Sequence, residues 1–257
     1  MHLDVTTLLL GIAIGALSGF LNALASGGST VALPLLIAAG LPPAVANATN
    51  RLPVVFAFGS ACVAFFREGR FERALVLRIV PPTVMGGAIG AYLADFISHD
   101  HLTLVIHGAI LIALGLLFTT IKKTLLKVFS EPARYRWQDA VLLFLVGVWL
   151  GLIVIDGAIY LLLVMILGMR LSMDRANAYK ALVGVIVNLV AVVLFARDGN
   201  VDWTIGGFLS VGSVVGGYLG ARMSMRPWAK VWTYRLLVFI VSGEVIHIGL
   251  QYWHQYG

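Results

Sequence analysis

Two basic residues stand inside apolar stretches of this sequence. Arg51 closes the run Ala46-Asn47-Ala48-Thr49-Asn50, and Lys180 closes the run Ala176-Asn177-Ala178-Tyr179, about two turns into an apolar helix in each case. A fixed charge at that depth of a membrane costs at least about 2.5–3.5 kcal/mol, and such a residue usually faces a cavity, a partner or a ligand. The two cations therefore predict a cradle for a small oxyanion. Its predicted residues are Asn47, Thr49, Asn50, Arg51, Asn177, Tyr179, Lys180 and Asn188. Snorkelling, or a structural ion pair with Asp156, is the alternative for either cation.

Glycine-containing breaks interrupt the first apolar stretch of each half. The first break is Ser26-Gly27-Gly28-Ser29-Thr30, and the second is Asp156-Gly157. A helix that restarts after such a break presents free N–H groups and a positive dipole end, which attract an anion. We therefore add Ser26, Gly27, Gly28, Ser29, Thr30, Asp156 and Gly157 to the predicted substrate site. Close helix packing is the alternative for the glycines, and bonding to a local carbonyl is the alternative for the hydroxyls.

A third group of residues has the chemistry to couple transport to an ion. Glu244 and His247 are three residues apart, share one face of the last apolar stretch and are the kind of pair that carries a proton. Together with Asp156 they are the coupling candidates, for a proton or a sodium ion. A structural hydrogen bond between Glu244 and His247 is the alternative. The single cysteine, Cys62, excludes a multi-cysteine metal site, and no metal or cofactor is predicted.

Composition places these residues in a lipid bilayer. Of the 257 residues 60% are hydrophobic and 12% are charged, and the mean hydropathy is +0.95. Apolar stretches of about 17–25 residues, the length of a membrane-spanning helix, separate short charged islands. The net charge of +6 comes from Lys and Arg beside the apolar stretches, where they orient helices, so a nucleic-acid partner is rejected. The prediction is an all-α, polytopic protein of the bacterial cytoplasmic (inner) membrane.

The chain also contains an internal repeat with an offset of 130 residues. Ala46-Asn47-Ala48 recurs as Ala176-Asn177-Ala178, and the glycine pattern that begins at Gly86 recurs from Gly216. An ungapped register of this length indicates duplication. The sequence thus predicts a first membrane repeat over 1–121, a cytoplasmic basic linker over 122–136 and a second membrane repeat over 137–257.

Each repeat contains four apolar segments, and the loops between them suggest how they cross the membrane. The segments cover 5–39, 43–66, 74–95 and 101–121, then 138–168, 172–196, 204–222 and 231–251. Lys and Arg concentrate in the loops 67–78, 122–136 and 222–230, which the positive-inside rule makes cytoplasmic. Both termini lack them and are predicted to be periplasmic. Equivalent loops then face opposite sides, so the repeats have inverted topology, and the broken first segment of each is re-entrant or shares a crossing with its neighbour. We expect the two breaks to lie close together near the midplane.

Inverted repeats with broken helices are typical of secondary transporters. The expected partners are a small anionic substrate and the lipid bilayer, and a homodimer is left open. An intramembrane hydrolase that uses Ser29 with His107 or His247 is the competing class. The sequence lacks the Gly-x-Ser-x-Gly elbow of many such enzymes, so we predict that the protein is not an enzyme.

Three stretches of the first half resemble a known family. They are Gly19-Phe20-Leu21, the run from Ser26 to Leu36, and the run from Gly40 to Asn50. They are similar to the first half of the sulfite exporter TauE/SafE family, and the resemblance extends over residues 10–250. It implies a permease for sulfite, sulfonates or related sulfur compounds. The second half departs from the family pattern, because Asp156-Gly157-Ala158 replaces a richer glycine run and Tyr179-Lys180 replaces Thr-Ser. Another small organic anion therefore stays open as the cargo.

Overall fold

The protein is a bundle of helices in the computed structural model. The model describes residues 5–93, 133–153, 157–229, 231–233, 235–236, 238–239 and 242–243. The helices are α1 (Val5–Ala25), α2 (Gly28–Ala38), α3 (Pro43–Arg67), α4 (Arg73–Leu93), α5 (Trp137–Leu152), α6 (Gly157–Leu163, continued by a π-helix over Val164–Gly168), α7 (Met173–Arg197) and α8 (Trp203–Ser224). Five of these described helices, α1, α3, α4, α7 and α8, are long and apolar enough to cross a membrane. The predicted all-α, polytopic fold is confirmed.

Several predicted features lie outside the described residues. They are both chain ends, the fourth apolar segment, most of the linker 122–136, and the side chains of His107, Asp156, Glu244 and His247. The last apolar segment is described only in short helical pieces between Val231 and Gly243.

The helix bounds follow the 130-residue offset that the sequence indicates. The helices α3 and α7 both have 25 residues, and they begin at Pro43 and Met173. Two hydrogen bonds are also equivalent under this offset. Thr49 Oγ1 accepts from the backbone N–H of Asp202 at 2.9 Å, and Tyr179 Oη accepts from the backbone N–H of Glu72 at 2.9 Å. Each half therefore holds the start of a helix that belongs to the other half.

The overlong first apolar segment forms a helical hairpin rather than one straight helix. The helix α2 folds back along α1, because Gly28 at its start contacts Ser18 of α1, and Leu36 and Ala39 near its end line one cavity with Leu8 and Ile14 of α1. The reversal occurs at Ser26, whose φ of 71° is in the left-handed region, while Gly27 has a φ of −108°. Gly28 is required for a different reason. A Cβ there would overlap the carbonyl oxygen of Ser18 on α1.

The long helices pack as two parallel groups that meet in the middle. The helix α1 runs parallel to α8, since Gly15 faces Leu209 and Gly19 faces Ser213 four residues later. The helices α4 and α5 are parallel by the same criterion, because Gly86 faces Phe144 and Gly90 faces Val148. Most of these glycines lie so close to the neighbouring backbone that a side chain would overlap it. Where the groups meet, α3 and α7 are antiparallel, because Arg51 contacts Asn188 and Phe58 contacts Lys180.

Three loops that contain or adjoin several arginines lie at one end of this bundle, which we call the basic end. They are the residues 68–72, 133–136 and 225–229. The Tyr135 hydroxyl donates to the carbonyl oxygen of Arg78 at 3.2 Å, and Arg70 and Arg226 line one cavity of the same end. Because α8 ends there and α5 begins there, α1 runs towards the basic end and α5 runs away from it.

Candidate functional site

The first site element is the tip of the α1–α2 hairpin, which receives Lys180 from α7. The Lys180 ammonium is buried and donates to the carbonyl oxygens of Asn22 at 2.8 Å and Ala23 at 3.3 Å. The Asn22 side chain accepts from the backbone N–H of Gly28 at 3.0 Å through Oδ1, so it also caps the start of α2. The face of the Phe58 ring lies 5.8 Å from the ammonium. Lys180 thus fixes the end of a helix of the other half.

Arg51 plays the corresponding part at the end of α5. Its guanidinium is buried and donates to the carbonyl oxygens of Leu150 at 2.9 Å and Gly151 at 2.8 Å. A longer bond of 3.4 Å reaches Asn188 Oδ1, and the Phe195 ring lies 5.1 Å below the guanidinium carbon. Here a cation of the first half binds a helix end of the second half.

Both contacts place a positive charge where a helix carries its negative end. The last carbonyls of a helix lack partners within the helix and carry the negative end of its dipole. A lysine or arginine that donates to them satisfies these oxygens and is itself partly compensated. This compensation explains how two buried cations are accommodated among the described residues without a carboxylate beside them.

The two cations contact different parts of the bundle. Arg51 contacts α7 at Asn188, which is eight residues beyond Lys180, or about 12 Å along the helix axis. Lys180 lies seven residues after the start of α7 and Arg51 eight residues after the start of α3, and these two helices are antiparallel, so the two cations are nearer to opposite ends of the bundle. The two cations therefore contact different helix ends, and since Asp156 of the second break lies outside the described residues, the expected closeness of the two breaks stays a prediction. The structure presents two related half-sites.

Several buried polar atoms of these half-sites have no hydrogen-bond partner among the described residues. Near Lys180 these are Asn22 Nδ2, Ser26 Oγ, and Asn177 Nδ2 and Oδ1. Near Arg51 they are its own Nε, and Asn50 Nδ2 and Oδ1. Asn177 lies one turn before Lys180 on α7, and Asn50 directly precedes Arg51 on α3. A buried polar group without a partner costs about 1–3 kcal/mol, and in native proteins a water or a ligand usually satisfies it.

The remaining predicted residues divide into two groups. Thr49, Tyr179 and Asn188 direct their polar atoms to protein groups, namely Asp202, Glu72 and the pair Arg51 and Gly184. Ser29 is buried in the first hairpin, and Gly157 is buried at the start of α6, which folds back along α5 because Gly157 faces Leu150 and Gly168 faces Asp139. Thr30 and Asn47 are half-buried and have protein contacts of their own. Whether any of these residues binds cargo stays a prediction.

Sequence reasoning missed Asn22, which contributes three polar groups to the first half-site. Its carbonyl oxygen accepts from Lys180, its Oδ1 caps Gly28, and its Nδ2 is unpartnered. One signal could have identified it, because it is the polar residue one helical turn before the break at Ser26. The aromatic faces of Phe58 and Phe195 had no such signal, since their positions depend on how α3 and α7 pack.

Comparisons with known proteins agree with this architecture. The family model described as sulfite exporter TauE/SafE matches residues 11–245. The probable membrane transporter protein YfcA of Escherichia coli (strain K12) is 28% identical over 246 residues, which cover 93% of this chain and 88% of the relative. A probable membrane transporter protein of Haemophilus influenzae is 28% identical and covers 95% of this chain and 98% of the relative. No solved structure matches the chain. The chain belongs to the sulfite exporter TauE/SafE family of membrane transporters.

Proposed function

We propose that the protein is a secondary transporter that moves a small sulfur-containing anion, such as sulfite or an organosulfonate, across the cytoplasmic membrane. The observation that carries this proposal is the set of unpartnered buried polar atoms beside Lys180 and Arg51. They lie inside helices that are long and apolar enough to cross a membrane, or at the breaks between them. A buried site with cations and unpartnered amides suits an anion better than an apolar solute.

The donors that remain available fit a compact oxyanion. An ammonium has three N–H donors, and the described acceptors of Lys180 use two of them. The Asn177 amide and the Ser26 hydroxyl would complete the first half-site. In the second half-site, Arg51 Nε and the Asn50 amide are the corresponding donors. The three oxygens of a sulfite or a sulfonate head can each accept from such groups.

The two half-sites suggest that the cargo binds at two successive positions along its transport path. The Lys180 half-site lies towards the basic end because α1 ends there, and the Arg51 half-site lies towards the opposite end. We place the basic end in the cytoplasm and both chain ends in the periplasm by the positive-inside rule. The antiparallel α3 and α7 and the offset of 130 residues support an inverted repeat. Alternating access would then expose one half-site at a time.

Counterflow in proteoliposomes tests the proposed cargo. Liposomes are loaded with one unlabelled anion, and the uptake of a labelled anion is measured for sulfite, sulfate, thiosulfate, sulfoacetate and a carboxylate. We expect exchange with sulfite or a sulfonate and none with the carboxylate. Exchange of the carboxylate alone would replace the sulfur anion by another small organic anion. The absence of exchange for every anion would remove the proposal.

A further inference from the structure

A groove follows the outer face of the bundle between α3 and α8. Its first part is a cavity of about 450 Å³ between Leu52 and Val211, and its second is a cavity of about 660 Å³ between Val63 and Val215. These two parts share Phe56 and Val214. A third cavity of about 650 Å³ shares Leu219 with the second. The three cavities therefore form one continuous groove that leads to the basic end.

The lining of the groove changes character along its length. The first two cavities are lined almost entirely by apolar side chains, such as Phe56, Val63 and Leu219. Ser60 also lines this part, but its hydroxyl already donates to the carbonyl oxygen of Ala57 at 2.9 Å, so its donor is not available to a ligand. The third cavity is polar and contains three arginines and one glutamate, which are Arg70, Arg222, Arg226 and Glu68.

Two of these arginines are exposed and have no ion-pair partner among the described residues. Arg70 forms an ion pair with Asp174 at 2.7 Å, so its charge is largely compensated. Arg222 and Arg226 are exposed, and the described residues show no carboxylate in a salt bridge with either. Arg222 also lies 5.9 Å from the Tyr218 ring, and Trp228 is 47% exposed beside it. Arginine with tryptophan at a helix end is typical of the level of lipid headgroups.

Glycines create the depth of the apolar part. An ideal Cβ built on Gly59 or Gly207 meets no described atom within 4 Å, so the space above each of them is open. The distance along α8 from Val215 to Arg222 is about 10 Å. A lipid acyl chain reaches about 15 Å, which is half the hydrocarbon thickness. If the lipid phosphate is at Arg222, its acyl chain would pass over Gly59 and end before Gly207.

We propose that this groove binds one anionic phospholipid of the leaflet at the basic end. Its phosphate contacts Arg222 and Arg226, and one acyl chain lies between α3 and α8 over Gly59. The reason for an anionic lipid is the net positive charge at the end of an apolar groove, since Arg222 and Arg226 face only one carboxylate, that of Glu68, in this cavity. A zwitterionic lipid has the same chains but brings its own cation to the arginines. This site lies on the lipid-facing surface and is separate from the buried half-sites, so it does not depend on the proposed cargo.

Native mass spectrometry of the purified protein with phosphatidylglycerol and phosphatidylcholine tests the headgroup contact. We expect the double variant Arg222→Gln/Arg226→Gln to lose about tenfold in phosphatidylglycerol binding and to keep its weak phosphatidylcholine binding. The control Arg73→Gln/Arg134→Gln removes the same charge from exposed positions at the same end, and neither residue lines the groove. It should change binding by less than about twofold. An equal loss in both double variants would show a general surface-charge effect and overturn the proposal.

Filling the groove tests the acyl chain separately. Gly59→Leu should lower the binding of both lipids by about tenfold, because the leucine side chain occupies the space of several methylene groups of the lipid acyl chain. Gly207→Leu is the matched control, since it fills a part of the groove that the chain does not reach. Unchanged binding in Gly59→Leu would overturn the chain position. Full competition by glycerol phosphate, which has no acyl chain, would show a soluble phosphate site and also overturn the proposal.

Discussion

Lys180 and Arg51 show how one buried cation can have two roles. Each satisfies the last carbonyls of a helix, which lack partners of their own, and thereby stabilises a hairpin tip. Each also keeps at least one N–H donor that the described acceptors do not use. A structural role and a cargo role are therefore compatible in the same side chain, and the variants below separate them.

Removing either charge should weaken cargo binding. The loss of one partner from a buried charge contact costs about 2–5 kcal/mol, so Lys180→Gln and Arg51→Gln should lower affinity by tens- to thousands-fold. The measurement is cargo affinity per molecule of purified, monodisperse protein. Arg51→Lys should also bind cargo less well, because an ammonium lacks the unpartnered Nε donor of Arg51 and cannot form a bidentate fork on the anion.

Tyr179→Phe is the matched control for Lys180→Gln. It removes a neighbouring polar atom whose described partners are the backbone of Glu72 and the side chain of Arg175, so it should lower stability without changing cargo affinity. Wild-type affinity in both glutamine variants would restrict the two cations to the structural role.

A substitution of Asn177 should change the stability of the protein and its affinity for cargo in opposite directions. Its amide is fully buried and has no described partner, which costs about 1–3 kcal/mol in the absence of cargo. Asn177→Leu should therefore raise the thermal stability of the cargo-free protein and lower cargo affinity. Thermal unfolding in detergent and a binding assay measure the two effects. A less stable variant with unchanged affinity would contradict the assignment of Asn177 to the site.

The sequence predicted which charges would be buried but not what they would bind. Arg51 and Lys180 were identifiable because charge is expensive inside apolar helices. Their partners are backbone carbonyls of residues that are 99 and 158 positions away, and carbonyl positions depend on the tertiary packing. Asn22 was overlooked for the same reason, since its three contacts exist only when α2 folds back on α1.

At the scale of elements, the hairpin of α1 and α2 depends on the absence of a side chain at Gly28. Gly28→Ala should destabilise the protein by about 1–3 kcal/mol or more, because the new Cβ would overlap the Ser18 backbone and force α2 away from α1. Gly59→Ala is the control, as its Cβ has open space and alanine favours the helix. Thermal unfolding of both variants measures the difference. Equal stability of the two would show that α2 does not need this close approach.

The helix bounds were largely predictable, and the helix directions were not. The predicted segments 43–66 and 172–196 agree with α3 and α7 within one or two residues, because apolar length and flanking prolines or charges mark the ends. The breaks were predicted from glycine. The full fold-back into hairpins needed the positive φ at Ser26 and the fit against Ser18, which no periodicity encodes.

At the scale of the whole molecule, the shared basic end predicts the orientation. A cysteine introduced at position 2 or 256, in a Cys62→Ala background, should react with an impermeant thiol reagent in intact cells. The background variant is needed because Cys62 is only partly buried. A cysteine at position 69, in the α3–α4 loop, should react only after lysis. The reverse pattern would place the basic end outside.

The exchange of helices between the two halves also constrains how the protein is made. The glycine face of α1 packs on α8, so its partner belongs to the other end of the chain. About 190 residues separate Gly15 from Leu209, and at about 5–20 residues per second the ribosome delivers α8 some 10–40 s after α1. Until α8 is synthesised, the glycine face of α1 is in contact with lipid or with helices other than its final partner. The order of synthesis thus differs from the order of packing, and the bundle closes only when the second half has emerged.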